Sequence, residues 1–255
     1  METIMLPEPM QSLLNGLESR AITNFYGTPG TGKTNLCILA AVDCARRGGK
    51  VVYIDTEGGF SLERLKQIAP KDYEKILDCI ELVEPKNLQE QTRAVRQLAE
   101  VGPDLIILDS SVALYRLEHA NQKDGWKDGM HEADKDVKPD VDNKNKKCEM
   151  DSVMVANREL SKQLSVLSVL ARQNNIPVII TTHAFGKSWS NGTYNIVGGD
   201  PIRYWSKSII YLEKTGKTSE RRARIIKHRS MPEDKEAKFM LVQDGIKPSK
   251  GLLHL

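Results

Sequence analysis

Residues 27–34 read Gly27-Thr28-Pro29-Gly30-Thr31-Gly32-Lys33-Thr34 and match the pattern G-x-x-x-x-G-K-[ST]. They follow an apolar segment at 20–26 and precede a helical pattern that runs from Lys33 to about residue 48, where two glycines stop it. A strand, a glycine-rich loop and a helix in this order are the context that the pattern requires. A glycine-rich turn could precede a helix by chance, but the spacing, the lysine and the threonine together favour a phosphate-binding loop.

The residue types of this loop point to a nucleotide held with magnesium. Glycines let backbone N–H groups converge on phosphate oxygens, and the helix N-terminus adds partial positive charge. Lys33 supplies a point charge to the β- and γ-phosphates, which makes it a catalytic residue as well as a binding one, and the Thr34 hydroxyl is expected to ligate Mg²⁺. We therefore predict that residues 27–34 bind ATP.

Acidic residues close two other apolar segments. Asp109 ends the segment 105–109, while Asp55 and Glu57 follow the segment 51–54. We predict that Asp109 holds magnesium through water and that Glu57 is the base for the water that attacks the γ-phosphate. Asp55 either orients Glu57 or caps its strand. The alternative is that both acids of this pair only solvate a loop.

Apolar segments alternate with helical patterns along the first two-thirds of the chain. Strands are predicted at 20–26, 51–55, 80–83, 104–109 and 177–182, with helices between them. Continuously apolar strands separated by helices indicate an α/β fold with a mostly parallel central sheet flanked by helices. Three more strands, at 208–213, 222–227 and 238–242, follow without helices and predict an antiparallel extension. We expect a single domain spanning 1–255.

A polar segment at 118–150 interrupts this alternation. It is rich in Asp, Lys, Asn and Gly, and such a composition buries too little apolar surface to offset the entropy of ordering. We therefore expect a mobile insertion here, and we expect the helix that follows it to run over 151–174.

Composition excludes several classes of protein. The chain of 255 residues has no apolar run long enough for a transmembrane helix and no basic, then apolar, start typical of a signal peptide, so a cytoplasmic protein without membrane contact is expected. Its four cysteines form no Cys-x-x-Cys pair, which argues against a zinc site or a disulfide framework. We expect Cys37 and Cys44, seven residues apart, to lie in the core.

The motifs, taken in order, resemble the ATPase core of the RecA/RadA recombinases. The phosphate loop, then Tyr53-Ile-Asp-Thr-Glu57, then the strand ending in Asp109, and a glycine pair at 198–199 before a basic strand meander carry the resemblance over about residues 10–250. The resemblance implies a RecA-like fold, ATP and Mg²⁺ as cofactors, and the same roles for Lys33, Thr34, Glu57 and Asp109. It also implies two DNA-facing loops, at about 117–150 and 184–200.

Departures from that pattern resemble the RadB family, the short archaeal paralogues of RadA. About 20 residues precede the first predicted strand, too few for the helical N-terminal domain of RadA, and no Phe-x-x-Ala motif occurs there. Thr182 and His183 stand where the recombinases have a γ-phosphate-sensing amide. The resemblance implies an accessory protein of homologous recombination and DNA repair that binds DNA and ATP, hydrolyses ATP weakly and performs no strand exchange. It further implies a RadA-type recombinase or a junction nuclease as protein partner, and it allows a homo-oligomer.

Basic residues concentrate where a nucleic-acid partner is expected. Residues 203–250 carry 13 basic and 6 acidic residues although the whole chain is only +3, so the remainder is slightly acidic. Concentrated positive charge is the footprint of binding to a phosphate backbone, here single-stranded DNA without sequence preference. A solvated strand face is the alternative for such a cluster. Trp126 either stacks on a base or packs locally. The candidate DNA contacts are Trp126, Lys127, Lys187, Arg221, Arg222, Arg224, Lys227 and Arg229.

Two other functions fit the phosphate loop. A KaiC-like ATPase or autokinase would require a Ser or Thr acceptor on the protein and usually a hexamer. A nucleotide-gated interaction module would use ATP binding alone as its switch, without significant hydrolysis.

Overall fold

The computed structural model of the chain describes residues 3–115, 117, 141–187 and 194–249. Its strands are β1 (Ala21–Gly27), β2 (Val51–Asp55), β3 (Ile80–Val83), β4 (Leu105–Asp109), β5 (Pro177–Lys187), β6 (Tyr194–Ile196), β7 (Ser206–Lys214), β8 (Glu220–Lys227), β9 (Glu236–Val242) and β10 (Gly245–Pro248). Its helices are α1 (Met10–Leu14), α2 (Lys33–Arg46), α3 (Leu62–Ile68), α4 (Tyr73–Leu77), α5 (Leu88–Val101), α6 (Val141–Asn174) and α7 (Gly199–Trp205).

The strands join into one mixed sheet, which within the described residues has ten strands in the order β10-β9-β8-β7-β1-β5-β4-β2-β3, with β6 paired to β5. Strands β1, β2, β3, β4, β5 and β7 run parallel to one another. Strands β8, β9 and β10 add an antiparallel extension beyond β7. This confirms the predicted fold class: a mostly parallel α/β sheet with an antiparallel C-terminal extension.

Helices cover both faces of the sheet, because the parallel strands are apolar on both sides. Buried residues of α1, α2, α3 and α4 pack in one hydrophobic cluster with residues of the strands. Leu36, Cys37 and Cys44 of α2 belong to this cluster. Residues of α5, α6 and α7 pack on the opposite face, where Val95, Leu98 and Leu164 are buried. The buried Cys37 and Cys44 confirm the expected core position of these cysteines.

Cap residues explain where two of these helices begin. Ser61 accepts a hydrogen bond from the Arg64 amide (3.2 Å), and Asn87 accepts one from the Glu90 amide (2.9 Å). Each side chain therefore satisfies an N–H that the first turn leaves unpaired. The helices α3 and α5 therefore begin directly after these two residues, at Leu62 and Leu88.

One predicted boundary is wrong. Residues 141–150, assigned from composition to a mobile insertion, form the first turns of α6, so this helix begins ten residues before the predicted 151. Polar composition excludes a buried core but does not exclude a helix that continues from an apolar one, since Lys, Glu and Asp are tolerated on a solvated helix. The rest of the predicted insertion, 118–140, lies outside the described residues.

No helix in the described ranges combines the length and the apolar character that a membrane span requires.

Candidate functional site

The candidate site lies at the carboxyl edge of the parallel strands. In the register of the sheet Asp55 pairs with Asp109, and Gly27 pairs with His183. The four strands β1, β5, β4 and β2 are neighbours, so their ends bring together residues separated by up to about 150 positions in the chain. Ligands of open α/β sheets bind at this edge.

Lys33 begins α2 and is almost buried, with 7% of its surface exposed. Its ammonium donates hydrogen bonds to the backbone carbonyls of Gly27 (3.0 Å) and Thr28 (3.3 Å). Burial lowers the pKa of this lysine, while the nearby carboxylates of Asp109 and Glu57 act in the opposite direction. The loop thus holds a buried cation against two neutral carbonyls, which is a favourable place for an anionic ligand.

Asp109 ends β4 with 4% of its surface exposed, and hydroxyl groups surround it. It accepts hydrogen bonds from Tyr53 (2.9 Å) and Thr181 (2.5 Å) and makes a third with the Thr34 side chain. Burial raises the pKa of this carboxyl, and the three hydroxyl contacts oppose that rise. The two predicted magnesium ligands, Thr34 and Asp109, are therefore in contact.

These residues fit a magnesium nucleotide. Mg²⁺ prefers oxygen ligands and keeps several waters, so one hydroxyl and one carboxylate suffice on the protein side. Gly30 and Gly32 adopt φ values of 75° and 97°, in the left-handed region that favours glycine. The tight turn of the loop therefore depends on these two glycines. A phosphate chain in this loop would be held by Lys33 and by the backbone of 27–34, with Thr34 and Asp109 at the metal.

The hydrogen bonds of Asp55 distinguish between the roles that the sequence left open for it: orienting Glu57, capping its strand or solvating a loop. Asp55 is 2% exposed and accepts hydrogen bonds from the amides of Glu57 (3.1 Å), Gly59 (3.1 Å) and Phe60 (2.7 Å). It neither solvates the loop nor simply caps β2, because both of its oxygens hold the backbone of the turn. Asp55 therefore orients the turn that carries Glu57.

The exposed Glu57 side chain makes a hydrogen bond with Nε2 of His183 on β5. Gly27, the first residue of the phosphate loop, is the β1 partner of His183, so Glu57 is held over the loop. From the sequence, His183 stands with Thr182 where the recombinases have a γ-phosphate-sensing amide, and no contact with Glu57 is predicted. Its contact with Glu57 depends on a strand register that no local pattern encodes.

The predicted DNA contacts are dispersed. Arg222 and Arg224 form ion pairs with Glu213 and Glu236, which neutralise them on the sheet surface. The other three candidates within 203–250 also have partners: Arg221 donates to the Gly30 carbonyl, Lys227 donates to the carbonyls of Arg203 and Ser206, and Arg229 lies 3.9 Å from Glu18. Burial and the neighbouring Lys207 lower the pKa of Lys227. Lys187 lies at the end of β5, while Trp126 and Lys127 lie outside the described residues.

The second predicted DNA-facing loop, at 184–200, is described except for residues 188–193, and much of its described part is strand or helix. Residues 184–187 extend β5, 194–196 form β6 antiparallel to it, and α7 begins at Gly199. In the described part, Ala184 and Phe185 pair antiparallel with Ile196 and Asn195.

Replacing Asp109 with asparagine is expected to raise the melting temperature at pH 7 in the absence of nucleotide and magnesium, by about 2–4 °C or ~1 kcal/mol. The folded pKa of Asp109 lies above its ordinary value of 3.8, so its contribution to stability is complete below that pH and is lost as pH rises through the folded pKa. The asparagine loses no such contribution and still bonds its hydroxyl neighbours. Calorimetry between pH 4 and pH 7 measures the difference, which grows with pH. An Asp109→Asn melting temperature below that of the wild type at pH 7 contradicts this assignment.

Together the fold and the site define a RecA-like P-loop protein. The family model described as Rad51 matches residues 8–131 and 150–249. The "DNA repair and recombination protein RadB" of Methanococcoides burtonii is 37% identical over 244 residues, covering 94% of this chain and 95% of that protein. The protein of the same description from Methanococcus maripaludis strain C5 is 38% identical over 241 residues, covering 93% and 96%.

A solved structure agrees with these relatives. The "Crystal structure of the RadB recombinase" superposes with a TM-score of 0.71 at 29% identity, covering 95% of this chain and 97% of that one. The chain belongs to the Rad51 family and, within it, to the RadB proteins.

Proposed function

We propose that this chain is an accessory protein of DNA repair and recombination that binds ATP with magnesium, hydrolyses it slowly and binds single-stranded DNA. One observation carries the nucleotide half of the proposal. A lysine with 7% of its surface exposed donates to backbone carbonyls inside a glycine-rich loop, beside a hydroxyl and a carboxylate in mutual contact. Membership of the RadB proteins supports the role in recombination.

The residues of the site divide the work of phosphoryl transfer to water. Lys33 and the loop amides bind the phosphate chain and stabilise the charge that develops on it. Glu57, steadied by His183 and by the turn that Asp55 holds, accepts the proton of the attacking water. Thr34 and Asp109 hold the metal, and magnesium, when bound, supplies positive charge to the β- and γ-phosphate oxygens.

Hydrolysis measured with and without single-stranded DNA, on the wild type and on Lys33→Ala, tests the enzymatic half. We expect slow release of phosphate by the wild type and none above background by the variant. Incorporation of labelled phosphate into the protein would instead favour the autokinase alternative. Binding of ATP without release of phosphate would favour the nucleotide-gated interaction module.

Affinity for single-stranded DNA is expected to fall at least about 10-fold between 50 and 200 mM salt, since three or more released counterions give that slope. Arg229→Ala is expected to reduce the slope of log K against log salt by about 0.7, which corresponds to one phosphate contact on a single strand. The side chain of Arg229 is 46% exposed, and its nearest carboxylate is 3.9 Å away. Fluorescence anisotropy with a labelled oligonucleotide measures both quantities.

The control for this titration is Arg96→Ala, an exposed arginine on α5 at the other end of the sheet. It should keep the wild-type slope. Wild-type affinity that is absent, or that is independent of salt, would remove DNA from the proposal.

A further inference from the structure

Strand β7 is longer than its neighbour β1, and the excess lies beside the phosphate loop. Gly27, the last residue of β1, pairs with Leu212, so Glu213 and Lys214 extend past the end of β1. Strand β8 returns from the hairpin with Arg221 opposite Lys214. The antiparallel extension therefore places two cationic side chains at the loop, from residues almost 190 positions later in the chain.

One hydrogen bond and two close approaches join the extension to the loop. The Arg221 guanidinium donates through Nε to the Gly30 carbonyl (2.9 Å). A Cβ on Gly32 would lie 3.0 Å from Cδ2 of Leu241 on β9, and a Cβ on Gly30 would lie 3.1 Å from Nζ of Lys214. The ammonium of Lys214 thus lies close to Gly30, a residue with no side chain to separate it from the loop backbone.

The charge of Lys214 is not neutralised within the described part of the chain. Its neighbour Glu213 is committed to Arg222, and no carboxylate of those residues lies within ion-pair distance of the Lys214 ammonium. Lys214 is also close enough to Lys33 to contribute to the lowered pKa of that lysine. The two ammonium groups repel each other, and an anion bound between them would be attracted by both and would offset that repulsion.

We propose that Lys214 is a second phosphate-binding lysine, which reaches the phosphate chain in the loop from the end of β7. Arg221 acts as a positioning residue, because it ties the hairpin to the loop through Gly30. The inference rests on the proposed binding of a nucleotide by residues 27–34, and it adds a binding residue that the motif does not contain.

Calorimetric titration with Mg-ATP and with magnesium triphosphate, which has no base or sugar, tests the proposal. Lys214→Ala should weaken both ligands about 10-fold, since one charge-assisted hydrogen bond is lost. Lys214→Arg should restore most of the affinity, because it returns the charge at similar reach. Lys217→Ala is the matched control: it removes one positive charge from the same hairpin, at a lysine that lies 4.0 Å from Glu220, and it should bind like the wild type.

The outcomes separate the two proposals. Wild-type-like binding of both ligands by Lys214→Ala, with binding lost in Lys33→Ala, overturns the role of Lys214 and leaves the nucleotide site intact. Equal losses in Lys214→Ala and Lys217→Ala also overturn it, because they indicate a general charge effect. A wild type that binds neither ligand overturns both proposals. Lys214 is exposed, so an unchanged melting temperature of the variants is expected, and it confirms that they are folded.

Discussion

Lys33→Ala is expected to weaken binding of Mg-ATP at least about 100-fold, the largest change in affinity that any single substitution in this chain should cause. The lysine makes charge-assisted hydrogen bonds that are worth roughly 1.5–3 kcal/mol each, and at least two phosphate oxygens lie within its reach in such a loop. Its two carbonyl partners cannot replace it, since the loop then has no cation at its centre. Isothermal titration calorimetry at fixed magnesium measures the loss.

Two controls show whether the loss of ATP affinity comes from the missing Lys33 side chain itself. Lys50→Ala removes an exposed lysine, paired with Glu81, at the opposite edge of the sheet and should bind ATP like the wild type. The melting temperature of Lys33→Ala without nucleotide should not fall, because burial already disfavours the charged lysine, as its lowered pKa indicates. An affinity within threefold of the wild type would contradict the assignment of residues 27–34 as the nucleotide site.

Glu57→Gln is expected to slow ATP hydrolysis by about 100-fold or more while ATP affinity changes less than threefold. A general base contributes on the order of 10² to 10⁴ to such a rate, and glutamine keeps the shape of the side chain and an oxygen for His183 but cannot accept the proton. Single-turnover hydrolysis with excess protein separates the chemical step from product release. The binding measurement, made on the same variant, shows whether the site is still assembled.

Glu63→Gln is the matched control for this substitution. Glu63 is an acid of the first turn of α3, six residues farther along, and its side chain contacts the Ser61 hydroxyl (3.0 Å) and not the loop. It should hydrolyse ATP at the wild-type rate. If Glu57→Gln hydrolyses ATP within twofold of the wild type, another group activates the water and Glu57 only positions the edge of the site.

Local patterns were enough to predict the fold and half of the site. The phosphate loop has fixed spacing, and the acids at 55 and 109 follow short apolar strands whose ends must meet in a parallel sheet. The contact between Thr34 and Asp109 follows from the motif and this edge together. These features depend on neighbours in sequence or on the single rule that parallel strands align their ends.

The rest of the site depends on the register of distant strands. Tyr53 and Thr181 complete the surroundings of Asp109, but each looks like an ordinary strand residue in the sequence. The same is true of Asn24 on β1, whose buried side-chain amide donates to the Thr182 hydroxyl on β5 (3.1 Å). The sequence signal that points to Thr181 is the pair of threonines at 181–182 in an apolar strand, because buried hydroxyl groups require hydrogen-bond partners.

Composition alone predicts neither which charged residues are free to bind DNA nor where a polar helix begins. It placed positive charge in the C-terminal third, yet Arg222 and Arg224 are neutralised by Glu213 and Glu236 across the hairpin, and Arg221 bonds the phosphate loop. A count of charges contains no information about which of them are paired. It also placed residues 141–150 outside a helix that they begin.

The hydrogen bond from Arg221 to Gly30 has a consequence for the order in which this protein is made. The two residues are 191 positions apart, and a ribosome adds about 5–20 residues per second, so roughly 10–40 s separate their synthesis. Throughout that interval the phosphate loop of the emerging chain lacks the contacts that strand β8 later makes with it. Strand β1 also lacks both of its neighbours in the sheet, β5 and β7, until they are synthesised. A nascent chain cannot close around its ligand until almost the last strand has left the exit tunnel.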